Sequence, residues 1–260
     1  MSLLNAFRKS HLGRALIEKV IWYKINRNRE RRITTEEFRA LKARFGADHA
    51  ARARYCHDAY LCRVIIDPDV TRIIKKLKAD FSLRNFVETG TYDGETSVSM
   101  SLIFERIFTC DVKDWARRLE FYCAENITYE VKSSPDFLRA HLPELKQGSF
   151  FFLDAHWGPH WPLHEELKIV FENCENPCIA IDDFDAGHGL YYDAYGAQKL
   201  DLDYIAAHIP ADYKFCLNPR SNRNRGLIFI FPPAAPYGCR FGDRASYNEA
   251  THGLWGKLPA

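Results

Sequence analysis

The sequence predicts an α/β protein, with a largely parallel sheet wound on both faces by helices. Three observations carry this. From residue 84 onward, short apolar runs alternate with stretches of helical periodicity. The first run leads into a glycine turn and then a small-residue helix start, "RNFVETGTYDGETSVSMS" from Arg84. Near the end, "YKFCL" and "GLIFIF" flank the polar loop "NPRSNRNRG", which reads as an antiparallel hairpin.

The strands are expected at 84–88, 106–110, 127–131, 149–153 and 178–182, with helices between them, as from Trp115 to Ala124 and from Leu163 to Phe171. Ahead of them, residues 1–80 read as a helical extension. Leu3, Leu4, Phe7, Leu12, Leu16, Val20 and Ile21 approximate one helical face. Thr34 and Glu37 form a capping box before Phe38, Leu41 and Phe45, and Gly46 ends that helix. A further helix starts at Asp67-Pro68 and buries Val70, Ile73, Ile74 and Leu77. The sheet domain is expected over 81–234, and residues 235–260 form a tail without clear periodicity.

Composition narrows the function. The chain has 260 residues, 47% of them hydrophobic, and a net charge of +2, which does not suit a nucleic-acid binder. The balance is uneven: residues 1–32 hold nine lysines and arginines against two glutamates. No apolar run is long enough for a transmembrane segment, and charges interrupt every apolar stretch near the N-terminus, so a cytoplasmic protein with free thiols is expected. The eight cysteines are scattered, and Cys56, His57 and Cys62 make only a loose group. The apolar stripe of the N-terminal helices needs a partner surface, either the acceptor side of the sheet domain or a second copy of the chain.

The chemistry gathers at the strand ends. Glu88 stands just before the turn that holds Gly90 and Gly94. A helix N-terminus after a glycine turn cradles phosphates, but an acid here would repel a pyrophosphate, and the spacing is not that of a dinucleotide site. An acid suits a ligand with a positive charge, such as an amino group. Asp111 ends the second strand, about twenty residues past the turn, where a carboxylate accepts ribose hydroxyls. Ser133, Ser134 and Asp136 follow the third strand and could meet a base edge, although Ser-Pro-Asp is also a plain helix start. Asp154 ends the fourth strand, and Asp182 and Asp183 end the fifth. Three carboxylates at one sheet edge call for a cation, and Mg²⁺ favours such oxygen donors.

These motifs together resemble the class I S-adenosylmethionine-dependent methyltransferases, in particular the metal-dependent small-molecule O-methyltransferases of the catechol and macrolide-sugar types. "VETGTYDGETS" is similar to the family's first motif, "CDV" stands at the ribose acid, "KSSPDF" at the adenine loop, and "FFLDAHW" with "IAIDDF" at the paired metal motifs. The likeness spans about residues 84–231 and implies a seven-stranded Rossmann-like sheet. It implies that Glu88 orients the methionine ammonium, that Gly90 and Gly94 admit the methionine portion, and that Tyr92 and Thr96 line its pocket. Asp111 would take the ribose and Ser134 the base. Asp154 would border the methyl donor and join Asp182 and Asp183 around Mg²⁺. The implied function is methyl transfer to a hydroxyl of a small-molecule acceptor: a sugar, polyketide or phenol.

One departure matters. Where catechol-type enzymes place a lysine base, this chain has Trp157. His156 and His160 are the candidate bases, since histidine titrates near neutrality. His156, His160 and His164 also repeat every four residues, but Gly158, Pro159 and Pro162 break the helix that a zinc site would need. "DAGHGLYYDAYG" is a candidate substrate loop. The alternative functions are a hydroxylase or N-methyltransferase on the same scaffold, or a binding protein that has kept the fold.

Overall fold

The structure is a computed structural model that describes residues 68–248 except 93, 115–123, 157–158, 220 and 222–223. The expected helices before residue 68, the Cys56–His57–Cys62 group, the helix from Trp115, Trp157 itself and the end of the tail lie outside the described residues.

Helix α1 spans Pro68–Asp80. Proline suits the first helical position because the donor it lacks would be unpaired there anyway. The apolar spacing then buries Val70, Ile73, Ile74 and Leu77, as expected. Strand β1 (Asn85–Thr89) follows and is buried along its whole length. Helix α2 (Glu95–Ser101) starts from Gly94, whose φ of 85° is left-handed. Then come β2 (Arg106–Asp111), β3 (Ile127–Val131), α3 (Ser134–Leu145), β4 (Ser149–Leu153), α4 (Leu163–Asn173) and β5 (Cys178–Ile181). The segment after β5 carries a two-strand ribbon, β6 (Ala194–Tyr195) with β7 (Gln198–Lys199), and the short helix α5 (Leu202–Ile205). Strands β8 (Lys214–Leu217), β9 (Ile228–Phe231) and β10 (Cys239–Arg240) complete the main sheet.

The sheet order is β3-β2-β1-β4-β5-β9-β8-β10. The first five strands in that row are parallel, and β9, β8 and β10 are each antiparallel to their neighbours. The sheet therefore has the expected parallel body and antiparallel final hairpin, with one strand more than the seven expected. β10 comes from the stretch read as a tail. It is two residues long, too short for any periodicity to show, and pairing Cys239 with Phe215 places it on the edge. Gly238, at φ 84°, makes the turn into it, and a Cβ there would overlap the Phe231 ring.

Both sheet faces are covered, which is why β1, β4 and β5 read as continuous apolar runs rather than alternating ones. In β1, Val87 joins one core with Phe137, Leu138, Leu163 and Leu167, under α3 and α4. Phe86 joins the other with Ile73, Leu77 and Met100, under α1 and α2. Each fully buried phenylalanine along these strands contributes about 1.5–3 kcal/mol. Within one strand, then, Glu88 points to the α2 side and Thr89 to the α3–α4 side. Neighbouring order reverses at β1, with β2 to one side and β4 to the other, and ligands of open α/β sheets bind beyond the strand ends at that point. Among the described residues no helix is long and apolar enough to cross a membrane.

Candidate active site

The turn after β1 begins at Gly90, with φ 85°. A Cβ at this position would stand 2.7 Å from the Asp154 carbonyl carbon and overlap its oxygen. Glycine is thus required for the ends of β1 and β4 to lie side by side, a packing reason beyond room for a ligand. Tyr92, with φ 47°, is also left-handed and half-open to solvent. Its backbone N–H donates to Asp111 Oδ2 at 2.9 Å, and that of Lys113 donates to Oδ1 at 3.2 Å. Burial nevertheless raises the Asp111 pKa above its ordinary value, against these backbone bonds.

Glu88 is buried beneath this turn. Its Oε2 accepts from Ser97 Oγ at 2.5 Å and from Thr109 Oγ1 at 3.0 Å, and the Thr109 hydroxyl shares a 2.6 Å bond with that of Thr91. The carboxyl is therefore held by β2 and by the first turns of α2. Ser97, rather than the half-buried Thr96, is the α2 residue that meets it.

The second half of the crevice lies beyond β4 and β5. Ligand atoms of Asp154, His156 and Asp183 all come within 4.8 Å of one another. Asp182, the third expected ligand, is buried beside them, and its charge acts on both Asp154 and Asp183. Loss of hydration and then repulsion from Asp182 and Asp183 hold the Asp154 carboxyl well above the usual range. Burial and Asp182 raise Asp183 to about 8, although Arg225 opposes them. Asp183 sits at φ 50°, so its backbone is strained as well. Burial lowers the His156 pKa, and Asp193 pulls it back up, with its Oδ2 3.7 Å from His156 Nε2.

One cation is built in. The Arg225 guanidinium pairs with Asp183 and stands over the Tyr191 ring at 5.4 Å. Burial disfavours its charge, but Asp183, Asp182 and Asp154 outweigh that and keep it protonated. Asn218 rigidifies the hairpin that presents it: Asn218 Oδ1 accepts from the Leu227 N–H at 2.6 Å, and Nδ2 donates to the Arg225 carbonyl at 2.9 Å. The expected substrate loop is tied to the same place. The Asp193 N–H donates to the Asp183 carbonyl at 2.7 Å, Tyr191 bridges to Arg225, and Tyr191 Oη donates to Asp193 Oδ1 at 2.8 Å.

The residues fit a divalent cation. Three aspartates face one arginine, so a bound cation would let more of them ionise than Arg225 alone does. Asp183 Oδ1 is buried without a hydrogen-bond partner and is open to an ion; His156 Nε2 beside it is likewise unpartnered and, as a base, would stay off the ion. A span of 4.8 Å can be bridged by one ion with bonds of about 2.0–2.6 Å. The other histidines stand apart. His160 is exposed, and His164 stacks between Tyr204 and His208 while its Nε2 meets the Tyr204 carbonyl oxygen at 2.8 Å, so the four-residue repeat makes no common site. Ser134 is buried at the start of α3, with Ser133 at the cap bonded to Asp136 at 2.6 Å.

Arg225 escaped the reading of the sequence, because nothing in spacing places residue 225 against residue 183; Asp193 and Tyr191 figure in that reading only as part of the candidate substrate loop, without roles of their own. Ser97 and Thr109 looked like ordinary small residues. Glu166 did leave a signal: it falls on the apolar face of α4, three residues after Leu163 and four before Val170, where a carboxylate is out of place.

No protein-family model matches the sequence, and no curated protein matches it. Among solved structures the chain is similar to an O-methyltransferase from Bacillus cereus in complex with SAH, at 13% identity and a TM-score of 0.50, over 71% of this chain and 90% of that one. It is similar to a protein assigned as an O-methyltransferase from Klebsiella pneumoniae, at 14% identity and a TM-score of 0.50, over 73% and 91%. It also matches TomG from Streptomyces achromogenes, an O-methyltransferase of tomaymycin synthesis in complex with SAM, at 15% identity and a TM-score of 0.47, over 77% and 99%. At these identities the likeness speaks for architecture. With its strand order and reversed final hairpin, the chain has the fold of the class I S-adenosylmethionine-dependent methyltransferases.

Proposed function

We propose that this protein transfers a methyl group from S-adenosylmethionine to a hydroxyl of a small molecule, assisted by a divalent cation. The observation that carries this reading is the division of one crevice. Glu88 and Asp111 stand at the ends of β1 and β2, where the methionine ammonium and the ribose of the donor are expected. Across the switch point, Asp154, Asp182, Asp183, His156 and Arg225 form a charged cluster that nucleotide binding alone does not require. Gly90, Tyr92 and Gly94 form the turn between Glu88 and α2, Thr96 lies in the first turn of α2, and Ser134 begins the helix on the base side.

Asp154 and Asp183 would hold the cation, with Asp182 adding charge behind them; Mg²⁺ is the ion expected from the carboxylate oxygens. Such an ion, when bound, lowers the pKa of an acceptor hydroxyl. His156 is the base we assign over His160, because it is the histidine at the cluster. Burial keeps its imidazole neutral and ready to take a proton, and Asp193 stabilises the imidazolium that results. Arg225 holds Asp183 in place and favours its charged form against burial and Asp182.

Calorimetry with S-adenosylhomocysteine tests the cofactor reading, and mass spectrometry of candidate acceptors with labelled S-adenosylmethionine tests the transfer. Absence of cofactor binding in the full-length protein would overturn the proposal.

A further inference from the structure

Glu166 has no place in the chemistry above, yet it is 1% exposed and sits just under the crevice. It enters on the first turn of α4 and points into the domain. The hydroxyls of Thr89 and Ser134 are both in reach of its carboxyl. The Cys110 thiol is close enough to feel its charge. Thr89 Oγ1 in turn lies 3.4 Å from the Asp154 N–H, and the Thr89 carbonyl accepts from that N–H at 3.0 Å. One buried carboxyl thus touches, directly or through Thr89, the end of β1 before Gly90, the end of β4 at Asp154 and the start of α3 at Ser134. Two atoms in this knot are unfinished: Glu166 Oε1 and Ser134 Oγ are buried and close no hydrogen bond of normal geometry. A buried polar pair left open costs free energy, so closing it is favourable.

We propose that Glu166 is a positioning residue for cofactor binding, a buried hub that sets the spacing of the three segments lining the donor half of the crevice. The proposal rests on the cofactor reading above. It adds that affinity for the donor is set in part from beneath, by a residue that never touches it. Closing the Glu166–Ser134 bond on binding links the base side of the crevice to the Thr89–Gly90 turn.

The test is calorimetric titration of the full-length protein with S-adenosylhomocysteine, alongside circular dichroism to establish folding. Glu166→Leu keeps the volume and removes the polar hub; it should stay folded and lose about tenfold or more in affinity. Glu166→Gln keeps a donor and an acceptor and should bind within about threefold of wild type. Ser134→Ala should weaken binding alone, yet add little on top of Glu166→Leu, since both remove one linkage. A folded Glu166→Leu variant that binds as wild type does would overturn the hub, as would a Glu166→Gln variant that loses as much as the leucine. If the leucine variant fails to fold, Ser134→Ala and Thr89→Val decide: unchanged affinity in both overturns the proposal. A wild-type protein that does not bind the ligand at all would instead defeat the cofactor reading.

Discussion

Replacing Glu166 by glutamine should stabilise the ligand-free protein, and by an amount that grows with pH. Burial raises this carboxyl from 4.5 to about 7, against the Ser134 and Thr89 hydroxyls, which favour its charge. Between those two pH values the folded chain keeps a proton that the unfolded chain has released. Unfolding then releases a proton, so stability falls as pH rises through that window and levels off above about 7. At about 1.36 kcal/mol per pKa unit, the whole loss is about 3 kcal/mol. The group is almost fully buried, so little solvent screening reduces this figure. Glutamine cannot ionise and escapes the loss. Thermal melts of both proteins at pH 5 and pH 8 read it out. Part of that loss is already present at pH 5, leaving about 2.5 kcal/mol between the two conditions; taking about 2–4 °C per kcal/mol for a chain of roughly this size, the advantage of Glu166→Gln should widen by about 5–10 °C. A gap of the same size at both pH values, or one that narrows, would show that the carboxyl titrates normally and that the reasoning is wrong.

Other predictions concern the crevice and the extension. Gly90→Ala should cost about 2–4 kcal/mol in a denaturant titration, since a Cβ meets the Asp154 backbone and φ is left-handed; a loss under 1 kcal/mol would contradict that packing. Arg225→Ala should destabilise by about 1–3 kcal/mol, reduced from the value for a fully buried pair because the arginine is partly open to solvent, and adding Asp183→Asn should recover much of the loss. EDTA should suppress methyl transfer and Mg²⁺ or Mn²⁺ restore it, with Asp183→Asn lowering turnover more than cofactor affinity; full activity in EDTA would remove the cation from the mechanism. Deleting residues 1–32 should leave cofactor affinity intact while changing acceptor use or size in solution, as read by calorimetry and light scattering; unchanged activity and size would argue against a partner-facing role.

Local order was legible in the sequence because it is written in local signals. Buried strands are apolar on every residue, so β1, β4 and β5 stood out as runs, and β2 and β3 followed from the alternation with helices. Gly90 and Gly94 marked the turn, since only glycine takes those backbone angles cheaply. Each acid at a strand end, Glu88, Asp111, Asp154, Asp182 and Asp183, could be placed on one sheet edge, because parallel strands bring their C-terminal ends together. What surrounds those acids was decided by tertiary structure alone. Strand order put β9 beside β5, and only that neighbour relation carries Arg225 to Asp183, forty-two residues earlier. The loop after β5 folds back by backbone bonds to bring Asp193 behind His156, with no periodicity to announce it. Grouping Asp154 and Asp183 with His156, and keeping Asp182 beside them, depends on the angles at which two strands end. Glu166 shows the boundary between the two kinds of information. Its place on an apolar helix face was visible as an anomaly. Its partners, Thr89 and Ser134, lie on other elements, and a linear pattern does not encode which distant hydroxyls a buried carboxyl will meet.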